Sequence, residues 1–287
     1  LQAPAQTDTS LVSVHEVGGA SFDIKPFIAR GARVAYDPWL HTRRWVEDAT
    51  SALAKKGAIL VPVESNPVDA VWDDRPHPSK ARLIPHEDRY AGRSSAAKRA
   101  DMADWMKAQD VDATVLTALD SIAWTFNIRG ADVTHTPVAL AYALLHADGK
   151  AEMFVDPAKI DADVRAHLGN AVTLLDRAEF ITALGGLTGK TVAVDPDRAV
   201  SAIFEALDKA GATIKPLRDP AVLPKAVKNE TEITGHKAAQ ARDGAAMAKF
   251  LHWLSIEGTK GGQTEISVSD RLQAFREETR ALVDLSF

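Results

Sequence analysis

Two stretches of the chain share one order of apolar and polar positions. Residues 31–38 and 189–196 are each a short β-prone run closed by Asp-Pro, a dipeptide that starts turns. In each stretch an amphipathic segment with helical spacing follows, over 43–55 in the first and 200–209 in the second. Each stretch therefore predicts a strand, a tight turn and a helix in the same order.

After each predicted helix, a glycine leads into another β-prone run, at 57–62 and at 211–216. The two stretches also end alike, on Asn66-Pro67 and on Asp219-Pro220. The repeated order of strand, helix and strand is typical of α/β units with parallel strand pairing. The whole ordered series predicts that one α/β domain is duplicated in this chain.

The segment between the two stretches begins with a linker rich in proline and charge, over 74–90. Proline at this density disfavours helix and marks a domain boundary. A helix with a serine cap is predicted over 94–109, followed by a strand at 114–117. Residues 122–127 alternate imperfectly between apolar and polar side chains, which predicts another strand.

Two further strands, 139–146 and 151–155, flank Asp148-Gly149, a strong tight-turn dipeptide. They are predicted to form an antiparallel hairpin. From residue 230 the pattern changes, with a nearly unbroken helix predicted to 257 and another over 264–282. Two helices without a sheet to pack on indicate the leading edge of a further domain.

The composition narrows the classes of function. A chain of 287 residues with 46% hydrophobic and 25% charged side chains suits two ordinary soluble domains. The formal charge of -5, without a basic block, argues against nucleic acid and acidic lipid as partners. No apolar run approaches the roughly 20 residues that cross a bilayer. Cysteine is absent, which excludes disulfides, thiolate zinc sites and a cysteine nucleophile.

The chain opens at Leu1 without an export signal and closes at Phe287, and both ends are predicted to be cut.

No catalytic motif stands out in the sequence. There is no His-Glu-x-x-His helix, no Gly-x-Ser-x-Gly elbow and no glycine-rich phosphate loop. His77 and His86 lie in the linker, where exposed or capping roles are favoured over metal binding. His236 and His252 lie about four turns apart on one predicted helix and cannot share an ion. His135 beside Asp132 is explained by a loop hydrogen bond. The pattern assigns no catalytic, substrate-binding or metal-binding residue.

The densest unusual signal lies between residues 120 and 132. In a functional interpretation, Asn127, Arg129 and Asp132 line a substrate cleft from its rim. In the structural interpretation, which is favoured, Trp124 and Phe126 fill the core. Arg129 then ties a turn together with Asp120 or Asp132.

Several long motifs, occurring in order over essentially the whole chain, resemble the cytosolic, three-domain Xaa-Pro aminopeptidases. These enzymes form the aminopeptidase P family of the M24, or pita-bread, metallopeptidases. The motifs are Tyr36-Asp37-Pro38-Trp39, residues 66–72, residues 119–132 with Pro137-Val138, Phe154-Val155-Asp156, and residues 228–233 with 242–245.

The resemblance implies an α/β fold with two duplicated creatinase-like N-terminal domains, each a mixed sheet with flanking helices. The first helices of a truncated pita-bread catalytic domain follow. On this chain the implied domains are residues 1–89 for the end of the first creatinase-like domain with its linker, 90–224 for the second, and 225–287 for the start of the peptidase domain.

The resemblance also implies a cytoplasmic, homodimeric hydrolase that removes an N-terminal residue preceding proline. In the family two divalent ions, usually manganese, are held by two Asp, one His and two Glu, and they generate a bridging hydroxide. No residue of this chain matches a ligand position. We therefore assign no catalytic, substrate-binding or metal-binding residue to this chain, and we expect the chain alone to be inactive and to bind no manganese.

Two alternatives stay open from the sequence. One is a standalone, non-catalytic binding or dimerisation module built from these domains. The other is an M24-fold hydrolase with different chemistry, such as a prolidase or a creatinase. The Asn127-Ile128-Arg129-Gly130 run and the three-domain layout favour the aminopeptidase.

Overall fold

The structure is a computed structural model that describes residues 2–16 and 25–285. Within these residues ten strands form one large sheet and two small ones. The strands are β1 (Arg33–Tyr36), β2 (Ile59–Pro62), β3 (Ile84–Pro85), β4 (Ala113–Leu116), β5 (Ile128–Arg129), β6 (Tyr142–His146), β7 (Ala151–Phe154), β8 (Val172–Leu175), β9 (Thr191–Val194) and β10 (Thr213–Pro216).

Eleven α-helices accompany these strands in the described residues. They are α1 (Gln2–Gln6), α2 (Arg43–Ala54), α3 (Asp88–Ala91), α4 (Ser95–Ala108), α5 (Leu119–Phe126), α6 (Ala162–Leu168), α7 (Phe180–Gly185), α8 (Ser201–Ala210), α9 (Val222–Ala226), α10 (Glu230–Glu257) and α11 (Glu265–Glu277). None of these helices combines the length and apolar character that a membrane span requires.

The large sheet has the order β10-β9-β4-β6-β7-β8. The outer pairs are parallel, as is the β9–β4 pair, whereas β6 pairs antiparallel with both β4 and β7. Alternate residues of the central strands enter different apolar clusters, because successive side chains point to opposite faces of a strand. In β4, for example, Val115 packs with α7 and α8 residues, and Leu116 packs with α4 and α5 residues. The sheet is therefore covered on both faces.

Two β-α-β units are built alike. β1 and β2 pair in parallel around α2, and β9 and β10 pair in parallel around α8, as the repeated pattern predicts. The first pair forms a two-stranded sheet of its own, and the second forms one edge of the large sheet. The same local pattern thus gives the same local structure in two different surroundings.

The two units contact each other at equivalent positions. Thr42 and Val200, which cap the N-termini of α2 and α8, form an antiparallel bridge. Across the bridge, the N–H of residue 43 donates to the carbonyl of residue 199 (3.2 Å), and that of residue 201 donates to the carbonyl of residue 41 (2.9 Å). A second reciprocal pair joins Arg44 N–H to the Pro196 carbonyl (3.0 Å) and Ala202 N–H to the Pro38 carbonyl (3.1 Å).

The last two helices pack mainly on each other. Ala246 and Phe250 of α10 and Phe275 of α11 form their own small apolar cluster. Asp243 accepts two hydrogen bonds from the Arg276 guanidinium (2.7 and 3.2 Å), which fixes the pair. Leu251 and Ile256 on α10 remain 56% and 45% exposed, so much of this helix surface is uncovered.

One predicted strand is wrong. Residues 122–127, expected to be a strand, belong to α5 and its C-terminal cap. Ile122 and Phe126 are four residues apart, and both are buried on the face of the helix that packs into the core. Tertiary burial here outweighs the strand preference of β-branched and aromatic side chains.

Other boundaries differ from the prediction as well. The last helix ends at Glu277 and not near residue 282. α6, β8 and α7 were not predicted, although β8 closes one edge of the sheet. The proline-rich linker is irregular at first, but its end pairs as β3 with β5, so it is tied to the following domain. The antiparallel hairpin of β6 and β7 is confirmed.

Candidate functional site

A cleft of about 880 Å³ separates α5 from the first turns of α10. We refer to it as the α5–α10 cleft. Its size lies within the range of small-molecule sites, about 300–1,000 Å³. Its lining includes aromatic, imidazole and charged side chains, among them His86, Tyr90, Trp124, Arg129, Glu232 and His236.

Arg129 is fixed on the wall of this cleft by its own backbone surroundings. Its Nη1 donates to the carbonyls of Ile128 (2.8 Å) and Ala123 (3.4 Å). Among the described residues, no carboxylate lies within 4.0 Å of its guanidinium. Burial lowers the pKa of Arg129, and the more distant Glu232 carboxylate opposes that shift. Arg129 is therefore a half-buried cation without an ion-pair partner in residues 2–16 and 25–285.

Close packing explains why a glycine, Gly130, follows Arg129. A Cβ atom at this position would lie 2.8 Å from the Ala139 Cβ and 2.9 Å from its backbone nitrogen. Such a contact requires the backbone to move. The Arg-Gly pair thus places a cleft arginine directly beside a close approach of two chain segments.

A second cation lies behind Trp124. Lys98 is 3% exposed, and its Nζ is 4.2 Å from the centroid of the Trp124 ring. It donates to the Trp124 carbonyl (2.9 Å) and to Asn127 Oδ1 (2.6 Å), which are both neutral acceptors. Burial lowers the pKa of Lys98 to about 8, and the neighbouring charge of Arg129 acts in the same direction. Within the described chain no carboxylate comes within 4.0 Å of this ammonium group either.

Asn127 has a structural role. It follows the last residue of α5 in the left-handed conformation (φ 49°), which asparagine tolerates better than most residues. Its Nδ2 donates to the Arg93 carbonyl (2.8 Å) and to Asp88 Oδ1 (3.2 Å). Its Oδ1 accepts from Lys98, so both polar atoms of the side chain have hydrogen-bond partners, and the residue is only 1% exposed. Asn127 supports the cleft from beneath and does not line it.

Asp132 is also directed away from the cleft. Its side chain is 1% exposed and pairs with Lys159 at 2.5 Å. The backbone N–H of Leu140 donates to the same carboxylate oxygen (2.8 Å). Of the three candidates Asn127, Arg129 and Asp132, the structure therefore brings only Arg129 to the cleft.

The structural interpretation of this segment is partly correct. Phe126 is fully buried in the core, as predicted, but Trp124 is half-buried and forms a cleft wall. The predicted pairing of Arg129 with Asp120 or Asp132 is wrong. Asp120 instead pairs with Lys225, at the mouth of the cleft.

The histidines do not assemble into a metal site. His86 and His236 line the cleft, and His135 lies 3.6 Å from Asp284 in a left-handed turn (φ 60°). Burial, followed by the charge of Arg129, lowers the pKa of His86. In the part of the chain that the structure describes, no three His, Asp or Glu side chains converge as metal ligands. The described residues therefore do not fit a di-nuclear metal centre.

The sequence interpretation missed Lys98 and the position of His86. A signal for Lys98 was present, because it lies four and eight residues before Met102 and Met106 and so shares their helix face. His86 gave no comparable signal. Its backbone N–H donates to the Asn127 carbonyl (2.7 Å), a contact between segments that are distant in sequence.

Known proteins resemble this chain in sequence and in fold. Residues 74–232 match the model of the creatinase/prolidase N-terminal domain. Aminopeptidase P2 of Arabidopsis thaliana is 32% identical over all of this chain and 46% of its own length. A probable Xaa-Pro aminopeptidase P of Paracoccidioides brasiliensis is 34% identical over 90% of this chain and 44% of its own length.

A solved structure covers the whole chain. The X-prolyl aminopeptidase of Caenorhabditis elegans, described as a cytosolic enzyme with a di-nuclear active site, superposes with a TM-score of 0.88 at 26% identity. The match covers 100% of this chain and 48% of that protein. The chain spans about half the length of the relatives it matches. It belongs to the creatinase/prolidase N-terminal domain family.

Proposed function

We propose that these residues are part of a metal-dependent aminopeptidase that releases the N-terminal residue from peptides with proline in the second position. The observation that carries the proposal is the superposition of the whole chain on the X-prolyl aminopeptidase of C. elegans. Hydrolysis in such an enzyme uses two divalent ions, which we propose to be manganese. The complete enzyme is proposed to act in the cytoplasm as a homodimer.

We further propose that residues 1–89 and 90–224 are two copies of one creatinase-like domain, the first of them incomplete. The reciprocal hydrogen bonds between equivalent positions of the two β-α-β units support this duplication. Residues 225–287 are proposed to begin the pita-bread catalytic domain. The exposed apolar side chains of α10, Leu251 and Ile256, support this assignment, because an apolar surface of this kind calls for further packing.

Residues 1–287 contribute no catalytic or metal-binding residue in this proposal, and by themselves they do not hydrolyse peptides. The support is that the chain spans 46% and 44% of the two curated relatives and 48% of the C. elegans enzyme.

The test compares two purified polypeptides, the product of the full natural reading frame and residues 1–287. Each is treated with a chelator, reloaded with manganese, zinc or magnesium, and assayed for release of arginine from Arg-Pro-Pro. We expect the full-frame protein to cleave, to lose activity with the chelator and to recover it best with manganese. Arg-Ala-Pro, which lacks proline in the second position, is the control substrate.

Two results would contradict the proposal. One is metal-dependent cleavage of Arg-Pro-Pro by residues 1–287 alone. The other is a full-frame protein that cleaves Arg-Ala-Pro as well as Arg-Pro-Pro, or that keeps its activity after metal removal. Light scattering on the same samples tests the dimer.

A further inference from the structure

The α5–α10 cleft has one cation on its wall, Arg129, and a second behind the wall, Lys98, and neither charge is balanced nearby. Lys98 is buried and Arg129 half-buried, and neither has a carboxylate within 4.0 Å among the described residues. Buried charges in proteins are normally paired, since an isolated charge out of water is costly. At the mouth of the cleft, by contrast, Lys225 pairs with Asp120 and Arg89 with Glu87. Lys228 on the same rim donates to the Lys225 carbonyl and is exposed to solvent, so Lys98 and Arg129 are the cations that combine burial with an unbalanced charge.

The acidic side chain that acts most strongly on both cations is already engaged. Glu232 influences both Lys98 and Arg129, but its Oε2 accepts from the Asn229 backbone N–H (2.9 Å) in the capping box of α10. In return Asn229 Oδ1 accepts from the Glu232 N–H (2.9 Å). A carboxylate held at a helix start in this way lowers the positive potential of the cleft without contacting either cation.

The donors of Arg129 point to a specific chemistry. Its Nη1 is taken by two carbonyls, and its Nε and Nη2 donate to no acceptor in the described part of the chain. The planar guanidinium presents two parallel N–H groups that match the two oxygens of a carboxylate. A bidentate carboxylate would satisfy the remaining donors and balance the charge.

The walls around these donors are largely apolar. Trp124, Tyr90, Pro137 and Val138 line the cleft together with alanines of α5 and α10. Trp124 has Lys98 behind its ring. A volume of about 880 Å³ is large for a free carboxylate ion and suits a ligand the size of a short peptide. The ligand should therefore combine an anionic end with an apolar body.

We propose that the α5–α10 cleft binds short peptides by their C-terminal carboxylate, with Arg129 as the carboxylate ligand and Trp124 as the surface for the adjoining apolar side chain. The peptide class rests on the proposed function. The binding itself requires only residues 1–287, so it is measured without any cleavage. Failure of this proposal and failure of the aminopeptidase proposal can therefore be told apart.

The experiment titrates residues 1–287 with Ala-Pro-Phe as the free acid and as the C-terminal amide, using calorimetry at pH 7. The two probes differ only in the charge that Arg129 would bind. We expect the acid to bind about 10- to 100-fold more tightly than the amide, the range that a charge-assisted contact supplies. We also expect the affinity for the acid to fall with added salt, and that for the amide to change little.

Three variants assign the effect to its residue. Arg129→Met keeps an unbranched side chain and should reduce the preference for the acid to less than about 2-fold. Arg89→Met is the matched control, since it removes a positive charge from the rim where Glu87 already pairs with it, and the preference should persist. Glu232→Gln keeps an acceptor for the capping box and should strengthen acid binding by about 2- to 5-fold, because it removes the opposing charge.

Several results would overturn the proposal. They are equal affinity for acid and amide, no binding of either up to the solubility limit, and a preference that survives in Arg129→Met. Circular dichroism and the midpoint of thermal unfolding establish that each variant is folded. If Arg129→Met does not fold, the acid-to-amide ratio of the unaltered chain and the Glu232→Gln variant decide, and failure of either prediction ends the proposal.

Discussion

The two β-α-β units of this chain have one sequence pattern and two different surroundings. In the first unit, β1 and β2 form an isolated two-stranded sheet, and half of α2 is exposed. In the second, β9 lies within a six-stranded sheet, and the first four residues of α8 are all buried. The alternation of apolar and polar positions specifies the local structure in both. How deeply each side chain is buried depends on the neighbours that the rest of the fold supplies.

The point where the units agree most closely is the C-terminal turn of the helix. Leu53 and Leu207 are both 0% exposed, and each accepts at its carbonyl from the N–H five residues later (3.2 and 3.1 Å). Gly57 and Gly211 stand in the left-handed conformation just after the helices (φ 65° and 75°). Glycine adopts this conformation with little cost, which is why each predicted helix ends at a glycine.

The largest expected effect comes from truncating these two leucines. Leu207 packs in the large cluster beneath the sheet, where the surroundings cannot close a cavity, so Leu207→Ala should cost about 3–5 kcal/mol of unfolding free energy. Leu53 lies outside the three apolar clusters of the described residues, among mostly half-buried and exposed neighbours of α2, β1 and β2 that can close around the change, so Leu53→Ala should cost about 2–3 kcal/mol. Urea unfolding followed by circular dichroism measures both.

The matched control for this pair is Leu251→Ala on α10, where the leucine is 56% exposed. Its cost should stay within about 0.5 kcal/mol, as for most surface substitutions. A Leu53→Ala cost above that of Leu207→Ala would refute the ranking. The first unit would then have a core as rigid as that of the second.

The sequence predicted local order well where turn chemistry was explicit. Asp148-Gly149 identified the hairpin, and the glycines identified the helix ends. It failed at α5, where β-branched and aromatic residues suggested a strand. The αL position of Asn127 and the spacing of Ile122 and Phe126 show why a helix forms there.

The α5–α10 cleft could not be predicted from any local pattern. It exists because α10 begins about one hundred residues after α5 and its first turns lie opposite Trp124 and Arg129. The pattern did contain the arginine. The pattern did not show which cations the two aspartates would pair with. In the structure Asp132 pairs with Lys159 and Asp120 pairs with Lys225, so neither pairs with Arg129. Pairing choices of this kind depend on tertiary distances.

The two units differ in one side chain just after the second strand, where the first unit has an amide and the second has a carboxyl group. In the first, Asn66 Nδ2 donates to Asp37 Oδ2 (2.9 Å). In the second the equivalent residue is Asp219, whose backbone N–H donates to Asp195 Oδ2 (2.9 Å). Its own side chain lies near the Ser121 hydroxyl, but its Oδ2 has no donor at full hydrogen-bond geometry among the described residues. Burial raises the pKa of Asp219 and outweighs the lowering effects of Ser121, the Ala221 N–H and Arg198, and the Asp195 carboxylate adds to the rise. The second unit thus has two carboxyl groups where the first has a carboxylate and an amide.

An intermediate effect is expected from exchanging these residues. Because the pKa of Asp219 is raised in the folded state, its contribution to stability is present below the ordinary carboxyl pKa and is lost as pH rises through the raised value. Asp219→Asn should therefore stabilise the protein by about 1 kcal/mol at pH 7 and by almost nothing at pH 4. Thermal unfolding at both pH values measures the difference.

The reverse exchange is the companion test. Asn66→Asp places a carboxylate against Asp37 and removes the amide donor, so it should destabilise by about 1 kcal/mol at pH 7, and by less at pH 3. If Asp219→Asn instead destabilises at pH 7, the ionised carboxylate is needed where it stands. The unpartnered oxygen would then have a ligand or water that the pairwise contacts do not include.

The smallest expected effect concerns the helix starts, where the units satisfy each other's backbone. The first two N–H groups of α2 donate to carbonyls of the second unit, and those of α8 donate to carbonyls of the first. At the third N–H the units differ, because Trp45 donates to Thr42 Oγ1 (3.2 Å), whereas Ile203 donates to the Val200 carbonyl (3.1 Å). The first helix therefore depends on a side-chain cap that the second lacks.

Replacing the two capping residues by each other separates the side-chain cap from the backbone bridge. Thr42→Val should cost about 0.5–1 kcal/mol, the usual range for a lost cap. Val200→Thr should gain less than about 0.5 kcal/mol, since the third N–H of α8 already has an acceptor. Amide hydrogen exchange at residues 45 and 203 reports each helix start separately. If Thr42→Val also accelerates exchange at residues 201 and 202, the bridge depends on the threonine, and the contact between the units is one cooperative structure and not two independent helix caps.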